Sequence, residues 1–240
     1  MSDYDPRLVE LYDIDNPDGP DHDFYRALAD SIDAKRIVDL GCGTGMLTVS
    51  LVGPARTVVG VDPSEAMLAF ARRRAGASDV EWVAGESRDI PIDAVDLAIM
   101  SGNVVQHIPD TRWKVTLADL RGRMKPGGVL AFESRNPVFR EWEQWTAGGR
   151  TSRRTKHGDL VEWMTVTVID DRRVQFTAHN YFAQTDDLVE MTQELVFRSR
   201  GELTADLDEA GFDVTAAHGG WRGESVNDGS RLLVLTAHAR

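Results

Sequence analysis

Val38-Asp39-Leu40-Gly41-Cys42-Gly43-Thr44-Gly45 is the stretch on which the fold turns. An apolar run at 36–40 ends in three glycines at alternate positions, and a helical pattern opens at about 45–52. Glycines let a backbone adopt unusual dihedrals and let a ligand approach it closely. Open α/β sheets bind ligands at the carboxyl ends of their strands, which is where this loop falls. Outward from it, further apolar runs stand at 56–61, 80–84, 94–100 and 128–134, with helical patterns at about 63–75 and 110–124. Runs this apolar predict strands buried on both faces, and the intervening helices predict right-handed parallel crossovers. Upstream, Phe24, Leu28 and Ile32 recur every four residues after Pro20, which predicts a helix over 21–33.

The pattern changes after Asn136-Pro137. A short helix is expected at 138–147, carrying Trp142 and Trp145. Runs at about 159–169, 172–184 and 188–198 follow, separated by the turn-like Asp170-Asp171 and Asp186-Asp187, and predict an antiparallel meander. A helix at 201–210 and strands at about 212–218 and 231–238 resume the first pattern. The reading is a single α/β domain over 1–240, with an N-terminal lid or helix at 1–33 and a β-rich insertion at 138–198 before the last helix.

Three features join the glycine loop, each after a successive strand. Asp62 ends the second strand, where a carboxylate can accept from both ribose hydroxyls of a nucleoside. Helix capping by Asp62-Pro63-Ser64-Glu65 is the competing reading. Gly85-Glu86-Ser87-Arg88-Asp89-Ile90-Pro91 follows the third strand, where a carboxylate and a backbone N–H can meet an adenine. Met100-Ser101-Gly102-Asn103-Val104-Val105-Gln106-His107 follows the fourth and sets polar groups where the reactive end of the ligand would lie.

In this order the four motifs resemble the class I S-adenosylmethionine-dependent methyltransferases, in particular the group acting on small molecules. The resemblance covers about 36–135 well and the last helix and strands more loosely. It implies a doubly wound, seven-stranded, mostly parallel Rossmann-like sheet and S-adenosylmethionine as cofactor. By the match, Gly41, Cys42 and Gly43 contact the methionine part and Asp62, beside Pro63, binds ribose. Met67 packs on adenine, Glu86 and Ser87 meet the adenine edge, and Ser101 and Asn103 lie near the reactive end. Lys125-Pro126-Gly127-Gly128 supplies the family's usual turn before the fifth strand. A nicotinamide dehydrogenase would show G-x-G-x-x-G, but Met46 stands where the third glycine should fall. A cofactor-binding sensor or interaction protein without catalysis is the alternative of a different class.

Methyl transfer from a sulfonium needs positioning and a dry site, and a base only where the nucleophile carries a proton. His107 is the candidate base; a histidine satisfying backbone groups at a helix start before Pro109 is the plain alternative. Tyr12 on the candidate lid, Arg135 and Asn136 on the approach to the insertion, and Trp142 and Tyr181 within it are the candidate substrate residues, for ordinary packing of aromatics competes with an aromatic-lined pocket.

The chain has 240 residues, 42% apolar and 28% charged, with a formal net charge of −12. Its first 33 residues hold ten acids against Arg7 and Arg26. That field repels nucleic acid. No apolar run reaches the roughly 18 to 20 residues of a spanning helix, and the acidic start is unlike a targeting segment, so neither a nucleic-acid nor a membrane partner is expected and a cytoplasmic location is. The basic cluster Arg150, Arg153, Arg154 and Lys156 reads as a solvated loop or a steering patch for an anion. Cys42 is the only cysteine and has no neighbouring ligand residue, so no metal site is expected.

Overall fold

The computed structural model describes residues 3–240. Two helices open the chain, α1 (Pro6–Asp15) and α2 (Pro20–Ser31). Strands and helices then alternate: β1 (Arg36–Leu40), α3 (Met46–Ser50), β2 (Thr57–Asp62), α4 (Glu65–Ala71), β3 (Val80–Ala84), β4 (Val95–Met100), α5 (Val104–His107), α6 (Asp110–Arg123) and β5 (Met124–Arg135). Four strands follow, β6 (Thr151–Thr155), β7 (Gly158–Val168), β8 (Arg173–Phe182) and β9 (Asp187–Val196). The chain closes with α7 (Arg200–Glu209), β10 (Phe212–His218) and β11 (Leu232–Ala239).

The large sheet has the order β10-β11-β5-β4-β1-β2-β3. β1 pairs in parallel with both β2 and β4, so the winding reverses between β1 and β4. That reversal opens a crevice at the carboxyl ends of these strands, the usual ligand position in such sheets. β11 runs antiparallel to both β10 and β5. Alternate residues feed two cores, as a strand's period of two requires. Val38, Leu40, Ala98, Leu130 and Phe132 pack against Trp113 and Leu117 of α6 and Leu203 of α7. Ile37, Leu97, Ile99, Val129 and Ala131 pack against Tyr25 and Ala29 of α2 and Leu47 of α3. With both faces covered, nearly every residue of these strands is buried, which is why they read as continuous apolar runs.

β6 to β9 form a separate antiparallel sheet between β5 and α7. The expected meander accounts for β7, β8 and β9 but not for β6. Its sequence, Thr-Ser-Arg-Arg-Thr, carries no apolar signal, because it is an edge strand with mostly exposed side chains. The expected helix at 138–147 is two 3₁₀ turns, Pro137–Phe139 and Glu141–Gln144. Asn136 caps the first of them, its Oδ1 accepting the Val138 N–H at 3.2 Å.

The N-terminal segment docks between the two sheets. Leu11 packs with Leu160 and Phe182 of the small sheet. Asp15 takes both guanidinium nitrogens of Arg153, and Glu10 pairs with Lys156 at 2.7 Å and lies 3.0 Å from His157. Arg154 pairs with Asp159, and Arg150 lies over the Trp163 ring. The basic cluster is therefore neither a bare solvated loop nor a free steering patch: two of its four members hold the acidic N-terminus, and the other two are engaged locally. The acidic and basic blocks of the sequence are the two halves of one intramolecular contact.

Candidate active site

The glycine loop joins β1 to α3 with left-handed backbone at Gly41 (φ +79°) and Gly45 (φ +75°). A Cβ on Gly41 would come 2.4 Å from Val104 of α5, and one on Gly45 would come 2.4 Å from the Trp82 ring of β3. Both positions require glycine on two counts. Gly43 meets nothing within 4 Å on its Cβ side, so the loop keeps an open cradle there. Cys42 sits between them with its thiol pushed well above its ordinary pKa by burial.

Asp62 ends β2 beside this cradle and is 8% exposed. Its Oδ2 accepts the Gly43 N–H and its Oδ1 the Ser64 N–H, both at 2.8 Å. Burial raises its pKa and these two bonds oppose the rise. It is not the cap of α4. That role belongs to Ser64, whose Oγ accepts the Met67 N–H at 3.1 Å. A carboxylate has about four acceptor positions, so two remain beyond the backbone bonds. Pro63 is exposed at the turn and Met67 is buried in the first turn of α4. Beneath the loop, Asp39 accepts from Thr48 at 2.6 Å, and burial raises its pKa to about 6.

After β3, Ser87 is buried and its hydroxyl donates to Asp119 at 2.7 Å. Glu86 turns to the rim, where Arg112 donates to its Oε2 at 2.7 Å. An adenine amino group would have to share that carboxylate with Arg112. After β4, Ser101 is half-buried and Asn103 adopts φ +59° with its Oδ1 buried and without a partner.

His107 ends α5. The residue is exposed, with Arg135 and Gln193 near its imidazole. Burial, and secondarily the charge of Arg135, lower its pKa to about 4, against an opposing contact from Gln193. Four residues of chain hold α5 too loosely to fix this side chain alone. Arg198, 1% exposed, donates to the carbonyls of Val105 and Ile108 at 2.9 and 2.8 Å and pairs with Asp110 at 2.7 Å, its guanidinium lying over Trp113. Arg135 donates to Gln106 at 3.0 Å and pairs with Glu141, which also pairs with Arg231. Across the cleft stand two tyrosines. Gln193 of β9 donates to the Tyr4 hydroxyl at 3.2 Å, and burial pushes Tyr12 up to about 12. The charges of Asp62 and Arg135 both act on Tyr12, so α1 faces the cradle and the cleft together. Asp3 and Asp13 tie α1 to the cradle side. Asp3 accepts from the Ser64 hydroxyl and the Ala66 N–H, and Asp13 accepts from the Thr44 hydroxyl and pairs with Arg74.

His107, Tyr12 and Arg135 thus come together, whereas three expected substrate residues do not join them. Asn136 is 5% exposed and spends its side chain on the Val138 N–H and the Ser230 carbonyl. Trp142 is 2% exposed and packs on Phe197 with ring centres 4.4 Å apart, inside a core with Val174 and Leu195. Tyr181 points to the outer face of the small sheet, its hydroxyl donating to Asp186 at 2.8 Å. Register explains the last case. Tyr181 lies level with Val161 and Leu188, on the side where Trp163 stacks on His179 at 4.8 Å. The inner face carries Leu160 and Phe182 at one end and Val166, Phe176 and Leu195 at the other, each set closing a small core. Between those cores Met164, Ala178 and Met191 lie level with one another and only half-buried, next to Asn180 and Gln193. Alternation along β7 to β9 is the signal that separates these inner residues from Tyr181. Arg198 had no signal beyond being an arginine at a strand end.

Residues 37–128 match the family model described as a methyltransferase domain, and the chain is an S-adenosylmethionine-dependent methyltransferase of the Rossmann-like fold. It is 28% identical to the cypemycin N-terminal methyltransferase of Streptomyces sp over 97% of this chain and 96% of that protein. It is 33% identical to glycine N-methyltransferase of Rattus norvegicus over 42% of this chain, a match that spans 40% of that relative's length. A crystal structure of an S-adenosylmethionine-dependent methyltransferase from Clostridium acetobutylicum superimposes with a TM-score of 0.81 at 14% identity, covering 97% of each chain. Among the described residues, no helix is long and apolar enough to cross a membrane.

The residues present fit the cofactor: an open glycine cradle, a buried carboxylate with free acceptor positions, and the unpartnered Asn103 Oδ1. When bound, S-adenosylmethionine supplies an activated methyl group for in-line displacement.

Proposed function

We propose that the chain methylates the amine of a small molecule, held between the β1–β4 crevice and the inner face of β7 to β9. The carrying observation is the grouping of His107 with Arg135, Gln193 and the Tyr4 hydroxyl, which accepts from Gln193 at 3.2 Å; the lowered pKa of His107 supports it. Burial and the nearby charge of Arg135 disfavour a cation at that spot, and they act equally on a substrate ammonium. An amine attacks only as its free base, so a cleft that strips its proton supplies the nucleophile without a strong general base. Neutral His107 and the phenols of Tyr4 and Tyr12 are then acceptors for the remaining N–H groups. Arg135 shares Glu141 with Arg231 and so keeps surplus positive charge for an anionic group on the substrate. The inner strip of Met164, Ala178 and Met191 forms the roof, with methionines adapting to apolar parts of the acceptor. Gly41, Cys42, Gly43, Asp62, Met67 and Asn103 hold the cofactor. The activities of the two relatives, an N-terminal methyltransferase and a glycine N-methyltransferase, support an amine acceptor.

The test is a panel of amino acids, peptides with free N-termini, amino sugars, phenols and carboxylic acids, read as release of S-adenosylhomocysteine. Amines should turn over. The Arg135→Met variant should shift the acid limb of the rate profile to higher pH, because removing a positive charge raises the amine's pKa. Turnover of phenols or carboxylic acids with amines untouched would refute the reading.

A further inference from the structure

Glu133 is the third residue from the end of β5 and carries a carboxylate that none of the roles above uses. It is 2% exposed, and both its oxygens are occupied. Oε1 accepts the backbone N–H of Asn103 at 2.6 Å, and Oε2 accepts the hydroxyl of Tyr25, itself fully buried on α2. Tyr25 is fixed in turn by edge contacts with Phe24 and Trp221, whose ring centres lie 5.3 and 5.8 Å away. Asn103 holds a left-handed conformation at φ +59°, which glycine and asparagine adopt more readily than other residues. The Glu133 carboxylate holds the backbone N–H of the residue in that conformation. The same residue aims an unpartnered Oδ1 into a buried position at the end of β4, where the cofactor's reactive end is assigned.

We infer that Glu133 is a positioning residue for S-adenosylmethionine: held by Tyr25, its carboxylate locks the Asn103 loop in the binding conformation, and protonation loosens that lock. The inference rests on the cofactor assignment of Asn103 given above. The groups facing Glu133 leave little to stabilise its charge. Asp21 and Tyr25 come from α2, and Asp39 of β1 lies close enough to act on Tyr25, with His22 of α2 acting on Asp39. Burial is the largest effect and raises the Glu133 pKa to about 7, with the bonds from Tyr25 and Asn103 opposing it.

Two signs follow, and they are opposite. A hydrogen bond to a charged acceptor is stronger than one to a neutral acceptor, so cofactor affinity should fall as pH drops through about 7. Stability of the free protein should rise over the same drop. An acid whose folded pKa is raised binds more protons folded than unfolded, so its ionisation is a cost of folding that protonation removes. A purely structural Glu133 would move stability alone.

The experiment is calorimetric titration of S-adenosylhomocysteine into the full chain, wild type, Glu133→Gln and Tyr25→Phe, between about pH 6 and pH 9, with a melting curve of each without ligand. Wild-type affinity should fall about three- to tenfold from the alkaline to the acid end, while its melting temperature rises relative to Glu133→Gln. Glutamine keeps an acceptor for Asn103 and a partner for Tyr25 but cannot ionise in this range, so Glu133→Gln should lose that pH dependence. Any slope from Asp39 or the ligand's amino group remains in both proteins and cancels in their difference. Tyr25→Phe removes a bond to the charged form and should move the midpoint to higher pH. An identical pH slope in wild type and Glu133→Gln overturns the inference and leaves the cofactor assignment standing. No binding by wild type at any pH overturns both.

Discussion

The two sheets bring their residues to the site in different ways. The seven-stranded sheet is covered on both faces, and what it contributes lies at its strand ends: loop backbones, Asp62, the Asn103 turn and the short helix bearing His107. The four-stranded sheet is covered on one face only, and what it contributes are side chains along the strands, selected by parity. Met164, Ala178, Met191 and Gln193 face inward, while Trp163, His179 and Tyr181 face out. A site built at strand ends is defined by order along the chain; a site built on one sheet face is defined by register, which a one-residue slip inverts.

The largest expected effect strikes the second sheet. Trp142→Ala empties the small core shared with Val174, Leu195 and Phe197, and should cost about 3–5 kcal/mol of stability by denaturant unfolding. Tyr181→Ala, outward and held only to Asp186, should stay within about 0.5 kcal/mol and leave turnover intact. A catalytic defect in Tyr181→Ala at normal stability would break the inward–outward distinction. A somewhat smaller effect belongs to the first sheet. Gly41→Ala combines a left-handed backbone with a clash against Val104, so a loss on the order of 3 kcal/mol is expected, with cofactor binding lost because α5 is displaced. The smallest concerns the link between the sheets. Exposed ion pairs are worth roughly 0.2–1 kcal/mol each, so Arg153→Gln with Lys156→Gln should lower stability by about that amount per pair, and less in high salt. A large loss would mean that the N-terminal segment, rather than the two cores, holds the small sheet in place.

The first sheet was legible because burial on both faces writes strands as unbroken apolar runs, and because glycine spacing and Asp62 mark loops directly. The doubly wound sheet came with the family resemblance those motifs carry; the strand order and the β1–β4 reversal appear only in the structure. The second sheet was legible only as a meander. β6 carried no apolar pattern, and aromatic residues drew attention to Trp142 and Tyr181, which packing and register remove from the cleft. The residues on the inner face there are a glutamine and two methionines, residue types that announce no chemistry. The acidic N-terminus and the 150–156 cluster were visible as two charge blocks, but their pairing was not, because Asp15 and Arg153 stand 138 positions apart. Glu133 and Arg198 stayed hidden because a single charged residue in or beside an apolar strand acquires meaning only from what lies opposite.

Asp62 is where the account is most directly exposed. It accepts two backbone N–H groups already, so its removal disturbs the loop as well as any ligand contact. The deciding measurement is calorimetric titration of S-adenosylhomocysteine into Asp62→Ala beside the wild type, with a melting curve of each. The account predicts affinity weakened by about 3–6 kcal/mol, the loss of two hydrogen bonds to a charged acceptor at roughly 1.5–3 each, and by more than the two lost backbone bonds lower stability in the melting curve. Wild-type affinity in the Asp62→Ala protein would contradict it.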